Sequence, residues 1–264
     1  MSSSAALECS LAFGLNELFS AGLDDWQLIK ICQLAEHKYV GTKCGIMDQF
    51  ASIMGKKDQA IKLDCRSLEF QYIPLDLKDY EILLLNSSVS HSLADSEYNK
   101  RRAECEEGLS ILAKQDASIQ SFRDLNEHLL SNFNSKLPKH ILNRCRHVVT
   151  ENQRVIDAVA SLHSGNINRL GELLYQSHHS LSKSYEVSCK ELDFLVEKTI
   201  DNHHILGSRM MGGGFGGCTL NIIHKSASKA FIEEAYQSYK DKFGLELLPY
   251  KVAIADGAKI ISSQ

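Results

Sequence analysis

At 264 residues the chain has the length for one large domain or two modest ones. Apolar residues make up 44% and charged residues 23%, an ordinary globular balance, and the net charge of -4 leaves no broad basic surface for a nucleic-acid partner. No apolar run is long enough to cross a bilayer, and the N-terminus, MSSSAALECS, has neither the basic start nor the apolar stretch of a secretory signal.

The eight cysteines stand singly, with no CxxC pair, so the sequence signals neither a zinc site nor a redox dithiol. They read as small buried hydrophobes of a reduced protein, and a cytoplasmic location is expected. The doublets His178–His179 and His203–His204 are not expected to bind metal, because neighbouring residues on a helix or strand point apart.

In chain order, Ser2, Ser3 and Ser4 precede Leu7, Leu11, Leu15, Leu18 and Phe19 at helical spacing, which predicts a helix from about Ser3 to before Gly22. A second helix is predicted from about Asp24 to Tyr39, stopped by Gly41, and a shorter one over Met47–Met54. Strands Ala60–Asp64 and Glu69–Ile73 follow across a polar turn. The dense apolar run Tyr80–Asn86 reads as a buried strand, and the domain boundary is placed just before it, giving domains 1–74 and 75–264. From Ser96 to about Asp201 the pattern is helical, with breaks near Ser135–Pro138 and Ser164–Asn166. Strand Ile205–Met211, a glycine-rich loop, strand Cys218–His224, helix Ala227–Phe243 and strands near Tyr250–Ala255 and Lys259–Ser262 close the chain. This irregular alternation argues for an α+β fold rather than a doubly wound sheet.

Three stretches could carry chemistry. A helix start at Ser2, Ser3 and Ser4 offers unpaired N–H groups, a positive dipole end and hydroxyls, a cradle for phosphate and a ligand for Mg2+; it equally fits a plain N-cap. Gly212–Gly217 holds five glycines in six positions. That is more than a simple hairpin needs, and it suggests close backbone approach to a phosphate or to another loop. The stretch matches neither the dinucleotide fingerprint nor the GxxxxGK loop. In Cys44–Phe50, Asp48 is either a helix-start carboxylate or a general base for a sugar hydroxyl. Glu36 is either a solvated helix carboxylate or a Mg2+ ligand.

Taken together these segments resemble galactokinases, within the superfamily that also holds homoserine, mevalonate and phosphomevalonate kinases. The resemblance rests on SSSAALE at Ser2–Glu8, CGIMDQFAS at Cys44–Ser52, LDCRSLE at Leu63–Glu69 and HSLADSEYNKRRAEC at His91–Cys105. It continues through SHHSLSKSYEVSCKELD at Ser177–Asp193, SRMMGGGFGGC at Ser208–Cys218 and ADGAKI at Ala255–Ile260, so it covers essentially the whole chain. It implies a two-domain sugar-kinase fold using ATP and Mg2+ to phosphorylate galactose at the C1 hydroxyl, with no membrane or nucleic-acid partner, and a monomer when complete.

The resemblance also carries roles to residues. Asp48 would be the catalytic base, and Gly45 and Tyr98 would line the galactose pocket. Ser2, Ser3 and Ser4 with Gly213, Gly214 and Gly216 would bind nucleotide phosphates, and Ser4 and Glu36 would contact the metal. The family's upstream GEHTDY-like motif and catalytic arginine have no match here, and Met1 stands where the family has leucine. The chain is therefore expected to be N-terminally truncated, with the first part of its N-terminal domain missing, and inactive by itself. The alternative is a non-catalytic sugar- and ATP-binding regulatory protein derived from such a kinase.

Overall fold

The computed structural model describes residues 3–89 and 94–261. The chain forms two compact units, Met1–Asp76 with Ala253–Gln264, and Leu77–Val252. The division expected at 74/75 falls beside the first crossing, and the C-terminal segment returns to the first unit.

In the first unit, α1 runs over Ser3–Phe19 and α2 over Asp25–Ala35. Asn16 ties their connection from both sides: its amide donates to the Leu23 carbonyl at 3.1 Å, and its oxygen accepts from the Leu23 N–H at 2.9 Å. A reciprocal cap then starts α2, with Asp24 accepting from the Gln27 N–H and Gln27 accepting from the Asp24 N–H, each at 2.8 Å. After Ala35 the helix widens into a single π-turn, Glu36–Val40, closed by Gly41 in the left-handed region. The predicted helix thus covers both pieces. Helix α3, Met47–Met54, has the predicted bounds.

Strands β1, Gln59–Leu63, and β2, Phe70–Pro74, form an antiparallel hairpin. Its turn is shaped by the Asp64 carboxylate, which accepts from the Arg66 N–H at 2.9 Å and the Ser67 N–H at 3.3 Å. The core joins Cys9 of α1, Leu28, Ile29 and Cys32 of α2 and Phe50 and Ile53 of α3. Phe50 bridges Trp26 and Phe70, with ring centroids 5.1 and 5.2 Å away. On α1 only Ala5 and Cys9 are buried, while Leu7, Leu11, Leu15 and Leu18 stand between 45% and 74% exposed. No strand forms at Lys259–Ile261, where one was expected; Ser262 lies outside the described residues. That segment is anchored just before by the Gly257 N–H on the Gly55 carbonyl at 2.8 Å and the Ala258 N–H on the Ser52 carbonyl at 2.9 Å.

The second unit is a four-stranded antiparallel sheet with helices. Its strands are β3, Tyr80–Asn86; β4, Ile205–Met210; β5, Cys218–His224; and β6, Leu248–Val252, in the order β4-β5-β3-β6. The helices are α4, Ala94–Gln115; the short α5, Glu127–Ser131; α6, Lys139–His163; α7, Ile167–Ser180; α8, Lys190–Ile200; and α9, Ser228–Phe243. This is the α+β layering that the element order implied. The buried Asn221 locks three strands: its Oδ1 accepts from Ser208 Oγ at 2.7 Å, and its Nδ2 donates to the Leu83 carbonyl at 3.0 Å. His203 and His204 occupy a turn rather than a strand, so their rings do not point apart but lie 4.0 Å from each other.

Helix α7 lies against β4 through two glycines. A Cβ on Gly171 would overlap the Leu206 backbone carbonyl, and one on Gly207 would overlap the Gly171 carbonyl. Because both obstacles are backbone, neither can swing away. Gly171→Ala should therefore destabilise the Leu77–Val252 unit at the upper end of about 1–3 kcal/mol. A urea midpoint lowered at constant m would show this, and an unchanged midpoint would contradict it.

The imidazole of His147 on α6 is buried, stacks on Tyr185 at 4.5 Å and shares a 2.8 Å hydrogen bond with Ser180. Burial pushes its pKa from the ordinary 6.5 down to about 4. As pH falls below 6.5 the unfolded chain takes up this proton first. Stability present above pH 6.5 is then lost progressively down to pH 4, on the order of 3 kcal/mol. A His147→Gln variant should flatten the stability–pH curve across that window. An equal slope in both proteins would remove His147 as its source.

Candidate active site

In the first unit the candidate residues gather around the start of α1, the π-turn and the start of α3. Ser3 and Ser4 are exposed in the first turn of α1; Ser2 lies outside the described residues. The open N–H groups of that turn and its positive dipole end suit an anion. Glu8 stands one helical turn after Ser4, on the same face.

Glu36, the first residue of the π-turn, is only 6% exposed, so the solvated-carboxylate reading of the sequence is overturned. Glu8 faces it. Burial first, and the Glu36 charge second, push the Glu8 carboxyl above its ordinary range. The Glu8 Oε2 atom is buried with no hydrogen-bond partner. Among the described residues no ion pair or side-chain hydrogen bond relieves Glu36 either. Two facing carboxylates with nothing to neutralise them suit a hard divalent cation that takes one or two carboxylates and completes its shell with phosphate and water. Glu8 did not stand out as a site residue in the sequence. Its i+4 spacing from Ser4 was the only signal available.

Asp48 lies in the first turn of α3, partly buried. The N-cap position is Ile46, so Asp48 is not the cap. Among the described residues its carboxylate has no hydrogen-bond or ion-pair partner, which leaves it able to accept a proton from a bound group. The loop before it is fastened to α2 through the Cys44 carbonyl, which His37 Nε2 meets at 2.8 Å and Gln33 Nε2 at 3.3 Å. Burial, and then the nearby charges of Glu36 and Asp48, raise the Cys44 thiol pKa, placing that thiol near both acids. A Cβ on Gly45 would meet open space, so packing inside the unit does not demand glycine there.

In the second unit the glycine-rich loop joins β4 to β5. Gly212, Gly214, Phe215, Gly216 and Gly217 all have positive φ. Much of the glycine content is therefore explained by the chain path itself. Gly214, at φ +90°, also passes so close to Val187 that a Cβ would overlap its carbonyl, and that carbonyl accepts from the Phe215 N–H at 2.7 Å. A Cβ on Gly216 would come within 2.6 Å of the Val89 carbonyl. Gly213 is exposed, and a Cβ there would stand 3.4 Å from the Tyr98 ring. The structure thus brings Tyr98 of α4 to the loop, a pairing that their sequence separation did not reveal.

Among the described residues, at this site as elsewhere, no group of three or more His, Cys, Asp or Glu is arranged to hold a metal ion, and no helix is long and apolar enough to cross a membrane.

Residues 1–56 match the family model of the GHMP kinases N terminal domain, and residues 158–241 match that of GHMP kinases C terminal. The chain is 46% identical over 261 residues to a galactokinase of Thermotoga neapolitana, covering 99% of this chain and 72% of that protein. It is 45% identical over 258 residues to a galactokinase of Thermosipho africanus, covering 97% and 71%. Among solved structures it is similar to the galactokinase of Lactococcus lactis complexed with galactose, with a TM-score of 0.92 and 35% identity over 97% of this chain and 66% of that one. Sequence identity, both family models and the fold agree: the chain belongs to the galactokinase family of the GHMP kinases.

Proposed function

We propose that the protein carrying this chain transfers the γ-phosphoryl group of ATP to the C1 hydroxyl of galactose, giving galactose 1-phosphate and ADP. The observation that supports this most directly is Asp48, an unpartnered, half-buried carboxylate near the Glu8–Glu36 pair, on a chain 46% identical to a galactokinase. Galactose as the acceptor draws support from the Lactococcus lactis neighbour, whose structure contains that sugar.

Asp48 accepts the hydroxyl proton as the sugar oxygen attacks the γ-phosphorus, and ADP departs with the bonding pair of the broken P–O bond. In the first unit Gly45 meets the sugar, and the N–H groups and hydroxyls at Ser3 and Ser4 hold phosphate oxygens. In the second unit Tyr98 is assigned to the sugar, and Gly213, Gly214 and Gly216 to the phosphates. Ser4 and Glu36 would hold Mg2+, with Glu8 facing Glu36; when bound, the ion neutralises charge on the transferring phosphate. Galactose-dependent formation of ADP and galactose 1-phosphate is the direct test. Turnover only with some other alcohol would refute the substrate assignment.

Asp48→Asn should lower kcat by about 10²–10⁴-fold while ATP still binds. Near-normal turnover in that variant would end the assignment of Asp48 as base.

Gly214→Val places a branched side chain at φ +90° against the Val187 carbonyl. It should raise the KM for ATP more than the KM for galactose. An increase confined to galactose would show that the loop serves the other ligand.

A further inference from the structure

Arg144 of α6 has a side chain only 3% exposed, and it spends its guanidinium on three acceptors from two segments. Nε donates to Glu104 Oε2 of α4 at 2.8 Å, Nη2 to Glu186 Oε2 at 2.8 Å, and Nη1 to the Ser184 carbonyl at 2.6 Å. Glu104 is also held by Arg101, at 3.1 Å to each of its oxygens, and Arg101 Nε reaches on to the Glu186 carbonyl at 3.4 Å. A guanidinium spreads its donors over three nitrogens of a rigid plane and so reaches three spaced acceptors at once; an ammonium offers its donors from a single nitrogen and cannot span them.

What the fork holds lies under the glycine loop. Ser184 belongs to a π-turn, Leu181–Tyr185, that ends α7, and Glu186 follows it in the left-handed region at φ 56°, an uncommon state for a side-chain-bearing residue. The next residue is Val187, whose carbonyl receives the Phe215 N–H and against which Gly214 is packed. On the other side, Glu104 lies six residues beyond Tyr98 on the same helix, and Tyr98 lines Gly213. One buried side chain therefore ties down both the seat of the loop and the helix that carries the facing aromatic ring.

We infer that Arg144 is a positioning residue for the reaction: by clamping Glu104 to the Ser184–Glu186 corner it sets the distance between Tyr98 and the Gly213–Phe215 loop. This rests on the galactose kinase reading in so far as Tyr98 is a sugar wall and the loop a phosphate neighbour. Arg144 touches neither ligand in that reading. It acts through Glu186, Val187 and α4, so its loss loosens the site without removing a reacting group.

The test uses Arg144→Lys, which keeps the charge but cannot span the three acceptors, and Glu186→Gln, which takes the charge from one arm at a half-exposed position. Hydrogen exchange is read on the free protein. In Arg144→Lys the Phe215 amide and its loop neighbours should exchange about tenfold faster while the β5 amides keep their protection. Steady-state kinetics should show kcat/KM lower by about 10- to 100-fold, with KM raised for both galactose and ATP. Glu186→Gln should move both readouts the same way by less, and it decides the matter if Arg144→Lys does not fold. Unchanged loop exchange, a uniform loss of protection across the whole second unit, or wild-type KM values in a merely less stable variant would each overturn the inference. Absence of galactose-dependent turnover in the wild-type protein would instead sink the functional reading, with the exchange comparison still judging the clamp.

Discussion

The Val187 carbonyl is the point on which the second unit's candidate site depends. It accepts from the Phe215 amide, and it leaves no room for a Cβ at Gly214. A backbone-to-backbone contact of this kind has no rotamer to relax into, so the loop can follow only one path across it. Around that point the structure concentrates its polar groups. The left-handed Glu186 directly precedes it, the Arg144 fork bonds Ser184 and Glu186, and Arg101, paired with Glu104, bonds the Glu186 carbonyl. Buried charged networks are expensive unless every member is satisfied, and here the guanidinium of Arg144 has a partner in each direction it points.

The first unit shows the opposite economy. Its acids are left short of partners: Glu8 keeps a buried oxygen without a hydrogen bond, Glu36 is buried opposite it, and Asp48 has no partner among the described residues. Carboxylates in a folding core are normally paired or exposed. Groups held apart from such relief have the character of a binding site rather than of a scaffold. The framework that holds them is conventional by comparison, with the Asp24 cap, the Asn16 tie and the Trp26–Phe50–Phe70 aromatic cluster.

Local signals in the sequence were enough for most elements. Helix α3, strand β3 and strand β5 have the predicted bounds because each is a short apolar run ended by turn residues, and such runs need no distant partner to be recognised. The π-turn at Glu36 was hidden, since its side-chain pattern continues that of α2 and only the hydrogen-bond register changes. The expected closing strand failed for a related reason: the apolar pair Ile260–Ile261 says nothing about whether a ladder partner is within reach.

Long motifs in family order were sufficient, by themselves, to identify a galactose kinase relative and to single out Asp48, Glu36, Tyr98 and the glycine loop. Three things were decided only by the tertiary structure. Glu36 proved buried and opposed to Glu8, which depends on how α1 packs on α2. Most of the loop's glycines proved to be demanded by positive φ and by the Val187 and Val89 carbonyls, rather than by a ligand alone. And Arg144 proved to join α4, α6 and the end of α7. No sequence spacing encodes that junction, because charges 40 and 42 residues apart meet only once the helices have packed.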